Sequence, residues 1–120
     1  MVFTLQGANS FIVLFVLIFM EDISVQPKLH VFICINDRTG TQDEKPSCGP
    51  GITKEMVKEI KQWIIKQGLT NSIYCTKVQC LGFCNPEGGV IAIYPKGRFV
   101  KGIKGIEEIK QIIQEEWNAL

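Results

Sequence analysis

The chain has 120 residues, 46% of them hydrophobic, which is one domain's worth of material and enough for a single modest core. Its 13 basic residues stand against 12 acidic ones, and a net charge of +1 gives no electrostatic case for nucleic acid. Five cysteines, an odd number, argue against a closed disulfide framework and for a reducing compartment, with a metal site and one spare thiol.

Residues 1 to 20 carry no charged side chain, and Phe11 to Met20 is an unbroken apolar run. A transmembrane helix needs roughly 20 apolar residues, so this run is short unless extended back through Gln6, Asn9 and Ser10. A secretory signal would begin with basic residues and end at a small-residue cleavage site. Here no Lys or Arg precedes Lys28, and Glu21 and Asp22 follow the run. Three readings result: a non-native or dispensable extension over residues 1–19 with translation from Met20, a membrane-associated helix, and export, in that order of preference. Residues 1–28 are expected to be an apolar extension and lead-in, and residues 29–120 the folded domain.

Leu29 to Ile35 is rich in β-branched and aromatic residues and reads as a buried strand. Asn36 to Gly51, with Gly40, Pro46, Gly49, Pro50 and Gly51, reads as an irregular loop. Thr53 can cap a helix with Met56, Ile60, Trp63 and Ile64 on its apolar face and Val57 on the flank, stopped by Gly68. Its other face, Lys54, Glu55, Lys58, Glu59, Lys61, Gln62 and Lys66, reads as solvated surface. A second strand covers about Ser72 to Val78, and its Cys75 is expected to be a small buried hydrophobe. Val90 to Tyr94 and Phe99 to Ile103 form a hairpin across Pro95-Lys96-Gly97. A last helix over Ile106 to Asn118 places Ile106, Ile109, Ile113 and Trp117 on one stripe. The order β-α-β then β-β-α predicts an α+β fold, a mixed four-stranded sheet with two main helices and a right-handed crossover in the first unit. Trp63 and Trp117 are expected in the core.

The remaining cysteines form two pairs, Cys34 with Cys48 as C-x13-C and Cys80 with Cys84 as C-x3-C. Two loops that each bring two sulfurs can close one compact metal site. Zinc knuckles are usually tighter than these gaps, so an iron-sulfur cluster fits better than a zinc ribbon. The segments His30-Val31-Phe32-Ile33-Cys34, Ser47-Cys48-Gly49, Cys80-Leu81-Gly82-Phe83-Cys84 and Val90-Ile91-Ala92-Ile93-Tyr94-Pro95-Lys96-Gly97 occur in that order. Together they resemble the thioredoxin-like [2Fe-2S] ferredoxin family from about Pro27 to the C-terminus. Two departures are a longer first cysteine gap and Gly89-Val90 where Gly-Pro is common.

The resemblance implies a thioredoxin-like fold and one [2Fe-2S] cluster per chain, with Cys34 and Cys48 on one iron and Cys80 and Cys84 on the other. It also implies a cytoplasmic one-electron carrier rather than an enzyme, with a reductase or an electron-accepting enzyme as redox partner. A homodimer is left open, and membrane association would come only through residues 1–20. The alternative is an iron-sulfur subunit, or a cluster- or zinc-binding interaction module, of a larger redox complex. Gly49 and Gly82 are expected either to bring amide N–H groups to the sulfurs or to serve as plain turn residues. His30, the one histidine, is expected to be structural or surface-facing rather than a ligand. Lys96, Arg98, Lys101 and Lys104 lie in a stretch without acidic residues. They read as ordinary surface charge in preference to a patch that steers a partner toward the negative cluster site.

Overall fold

A computed structural model describes residues 19–42 and 45–120. The three readings of the N-terminal run fall on residues 1–19 and lie, save for Phe19, outside the described residues. Among the described residues no helix is long and apolar enough to cross a membrane.

The strands are β1 (Leu29–Cys34), β2 (Ile73–Val78), β3 (Gly89–Tyr94) and β4 (Arg98–Ile103), and the helices are α1 (Lys54–Lys66) and α2 (Ile106–Asn118). They form one mixed sheet of order β2-β1-β3-β4. β1 runs parallel to β2 and antiparallel to β3, and β3 is antiparallel to β4. The expected element order and sheet are therefore both present, and the first strand stops at Cys34, one residue short of the expected Ile35.

Alternation along β1 divides the sheet into two unlike faces. Leu29, Val31 and Ile33 join Ile73, Cys75, Ile91 and Ile93 in a core closed by Val57, Ile60 and Ile64 of α1 and Ile109, Ile112 and Ile113 of α2. Each such fully buried Ile contributes about 1.5–3 kcal/mol relative to exposure. Both helices thus cover the same face, and Cys75 is a buried hydrophobe, as expected. Thr53 caps α1 by accepting from Met56 N at 3.2 Å, and the polar face of α1 is exposed throughout.

The opposite face carries a row of rings. His30 stacks on Phe32 with centroids 4.1 Å apart, Tyr74 meets His30, Tyr94 meets Phe32, Phe99 meets Tyr94, and Phe83 lies 5.1 Å from Phe99. His30 Nε2 also bonds Thr76 Oγ1 at 2.7 Å, so the histidine is occupied structurally.

The stripe of α2 is rotated from the expected one. Ile109, Ile112, Ile113 and Glu116 are its buried residues, while Ile106 and Trp117 are only partly covered. The rotation brings Glu116 to the β3–β4 hairpin, where its carboxylate meets Arg98 Nη1 at 2.8 Å and Lys96 Nζ at 3.6 Å. Glu115 also pairs with Arg98, Glu87 pairs with Lys101, and Lys104 Nζ donates to the Glu87 carbonyl. Lys96, Arg98 and Lys101, which stand alone in the sequence, are thus paired with carboxylates from elsewhere in the chain. Trp63 and Trp117 pack against the rim of the core, each with a lysine ammonium 5.8 Å from its ring, Lys110 and Lys28 respectively.

Candidate metal centre

Cys34 closes β1 on the ring-bearing face, two residues beyond Phe32. Beside it, on the same face, Val90 of β3 and Val78 of β2 wall the sulfur off, and Cys34 is fully buried. The loop after β1 returns Cys48 to the same place. Asp37 Oδ1 accepts from Thr39 N at 2.9 Å, Ser47 Oγ accepts from Arg38 N at 3.0 Å and donates to Gly49 O, and Gly49 N donates to Asn36 O at 2.7 Å. These bonds tie both ends of a loop that has no regular structure of its own.

The turn after β2 supplies the other pair. Gly82, at φ +84°, adopts a backbone conformation that side chains resist, and its N–H donates to Cys80 Sγ at 3.2 Å. Phe83, packed on Phe99, fastens this turn to β4. Gly82 thus brings an amide to a sulfur. Gly49 does not: its N–H is spent on Asn36, its φ is not positive, and its glycine is required because a Cβ would stand 2.7 Å from that of Asp37.

The Cys34, Cys48 and Cys84 sulfurs lie within 4.8 Å of one another. Cys84 Sγ is 3.8 Å from Cys34 Sγ and 3.7 Å from Cys48 Sγ, and Cys80 Sγ is 3.8 Å from Cys84 Sγ on the solvent side. Three sulfurs converge, then, with the fourth adjoining Cys84. Cys75 lies in the separate core under α1, and all five cysteines are free thiols. Exposure grades across the site, from Cys34 and Cys48 buried, through Cys84, to Cys80 exposed. A cleft of about 230 Å³ lined by Arg38, Lys45, Pro46, Gly82 and the two outer cysteines opens on the Cys80 side.

Burial pushes the Cys34 and Cys48 thiols up. Burial also acts on Cys84, but hydrogen bonds from the Asn36 amide, from the other two thiols and from the Cys48 backbone outweigh it and bring this thiol down to about 7. Backbone N–H groups of Asn36 and Val90 face the Cys34 and Cys48 sulfurs. A group of soft sulfur donors, apolar walls and N–H groups aimed at the sulfurs suits a thiolate-bound metal or iron-sulfur centre. The Asn36 contact had no signal in the sequence, where it is one polar residue at the start of a polar loop.

The same architecture occurs in solved structures of a thioredoxin-like [2Fe-2S] ferredoxin from Aquifex aeolicus. The wild-type protein is 24% identical over 75% of this chain and 85% of that one, with a TM-score of 0.62. A second structure of it matches at 24%, 75% and 80%, again with 0.62. The chain has the thioredoxin-like fold. A cysteine-to-serine variant of the Aquifex ferredoxin matches at 24% identity over 72% and 84% of the two chains, with a TM-score of 0.61. No protein-family model and no curated protein sequence matches the chain.

Proposed function

We propose that the chain is a small one-electron carrier that binds one [2Fe-2S] cluster through Cys34, Cys48, Cys80 and Cys84, passes electrons between redox proteins, and is not itself an enzyme. The observation that carries this reading is the convergence of the Cys34, Cys48 and Cys84 sulfurs, with Cys80 adjoining, in the fold of the Aquifex ferredoxin. When bound, such a cluster supplies a single-electron couple. The protein's residues do the rest. Cys34 and Cys48 form an inner pair and Cys80 and Cys84 an outer pair, the grouping expected if each pair serves one iron. Val78, Val90 and Leu81 keep water from the inner sulfurs. Backbone N–H groups at the sulfurs offset the added negative charge of reduction. Partners would approach the cleft beside Cys80, where the site is open and Arg38 and Lys45 stand at the rim. Five free thiols suit a reducing compartment such as the cytoplasm.

Anaerobic purification with metal analysis and an absorption spectrum tests the reading, followed by electron paramagnetic resonance after dithionite reduction. The expected result is a reddish-brown protein with two irons per chain and a spin-one-half signal on one-electron reduction. Cys-to-Ser changes at the four positions should perturb or remove the colour, and Cys75→Ser should keep it. A colourless chain that holds zinc, or a Cys75 variant that alone loses colour, refutes it.

A further inference from the structure

Asn36 stands two residues beyond Cys34 and is bonded to Cys34, to the loop that carries Cys48, and to Cys84. Its backbone N–H faces the Cys34 sulfur, and its carbonyl accepts from Gly49 N at 2.7 Å, which holds the Cys48 loop in place. Its side-chain amide Nδ2 donates to Cys84 Sγ at 3.8 Å, across 48 residues of chain. The other N–H groups at the sulfurs belong to the backbone: Val90 at Cys48, Cys48 at Cys84 and Gly82 at Cys80. Asn36 is therefore a side-chain N–H donor to the site. A backbone donor survives any side-chain substitution, whereas a change at this amide can adjust the sulfurs' surroundings without rebuilding the loops.

Resting on the cluster reading above, we propose that the Asn36 carboxamide is a positioning residue that raises the reduction potential of the centre through its bond to Cys84. Reduction adds one negative charge, part of which resides on the thiolate sulfurs. An N–H···S bond strengthens as its acceptor becomes more negative, so it stabilises the reduced state more than the oxidised one. The inner sulfurs are fully enclosed, whereas Cys84 is half-buried and would otherwise take its donors from water. A fixed amide there replaces a mobile solvent donor with one held in place from the end of β1.

Potentiometric titration of the cluster-loaded protein, read by visible absorption and by the resonance g-values, tests this with Asn36→Leu and Asn36→Asp. Leu keeps approximate size without the donor, and Asp keeps shape while placing oxygen and negative charge at the sulfur. At a fixed applied potential the reduced-to-oxidised ratio of Asn36→Leu should fall roughly tenfold, the change that 59 mV makes in a one-electron couple. Asn36→Asp should fall further, with shifted g-values. Asn85, whose amide donates to Phe83 O within the same turn and not to a sulfur, is the control, and Asn85→Leu should keep the wild-type potential. Asn36 variants at the wild-type potential, or a shift shared equally by Asn85→Leu, would overturn the inference. Loss of the cluster in both Asn36 variants would also overturn it, since Asn36 would then be needed for assembly and not for tuning. A wild-type chain without a cluster would defeat the underlying reading instead, and that failure shows before any variant is made.

Discussion

Gly49→Ala should loosen the metal site from the loop side. The new methyl would stand 2.7 Å from Asp37 Cβ and 3.2 Å from both Asp37 Cα and the Asn36 carbonyl oxygen. Carbon atoms rest at about 3.5–4.0 Å, so the overlap with Asp37 Cβ is about 1 Å. That atom is fixed to the main chain and cannot swing aside. The loop must lift from the end of β1, which breaks the 2.7 Å bond from Gly49 N to Asn36 O. Overpacking costs about 1–3 kcal/mol and the lost bond about 0.5–1.5 kcal/mol, together about 2–4 kcal/mol. With a urea slope of about 1–2 kcal/mol/M, the unfolding midpoint should fall by roughly 1–4 M. Gly51→Ala is the matched control, because its Cβ would lie at an ordinary 3.4 Å from Cys48 O and should move the midpoint by less than about 0.5 M. Urea unfolding followed by far-ultraviolet circular dichroism measures both, and Gly49→Ala should also hold metal less well, since Cys48 moves with its neighbour. Coincident midpoints for the two variants would refute the close-approach argument.

Glu116→Gln should lower stability at neutral pH by about 1–2 kcal/mol, since Arg98 is partly solvent-screened. The Arg98 hydrogen bond, opposed by burial and aided by Lys96, holds the Glu116 carboxyl below its ordinary 4.5. Its stabilisation is thus complete above that value and is lost as the pH falls through the lower folded value, so thermal melts of wild type and variant should converge in acid; a gap that persists there contradicts the pairing. Burial pushes the Cys75 thiol up to about 11. Iodoacetamide at pH 8 should therefore label it on the order of a hundredfold more slowly than an ordinary thiol, and ordinary labelling of Cys75 by mass spectrometry would contradict its burial. Neutral residues at Lys96, Arg98 and Lys101 should leave reduction by a partner nearly unchanged at low salt, because Glu87, Glu115 and Glu116 already balance them; a several-fold slowing that salt erases would show steering. A chain beginning at Met20 should melt with the full chain, since the core begins at Leu29, and a large drop in midpoint would give the preceding residues a structural role.

What the sequence reveals of this molecule is what local pattern can encode. The element order follows from the β-branched and aromatic run of β1, the Thr53 cap and the three- and four-residue spacing of apolar residues, and the cysteine pairs stand out by their spacing. The stripe of α2 differs from the expected one because 106, 109, 113 and 117 and the observed 109, 112, 113 and 116 fit a helical period almost equally well. A buried glutamate breaks the rule that selected the former, and only the distant hairpin cations make it affordable. The same distance hid the balance of those cations. Gly49 was legible as a turn glycine but not as a point of contact with Asp37, because that contact depends on how the loop folds back. Asn36 meets Cys84 only once β1 and the turn after β2 have been brought side by side.

The two faces of the sheet also divide the chain's chromophores. Both tyrosines, Tyr74 and Tyr94, belong to the row of rings, and both tryptophans, Trp63 and Trp117, ride on the helices behind the opposite face. Excitation at the red edge of the indole band therefore samples the helical layer alone, while tyrosine dichroism samples the ring-bearing surface. If the domain melts as one cooperative unit, the two signals must trace the same curve. If the helices detach before the sheet opens, the unmodified protein will report it as a gap between two wavelengths.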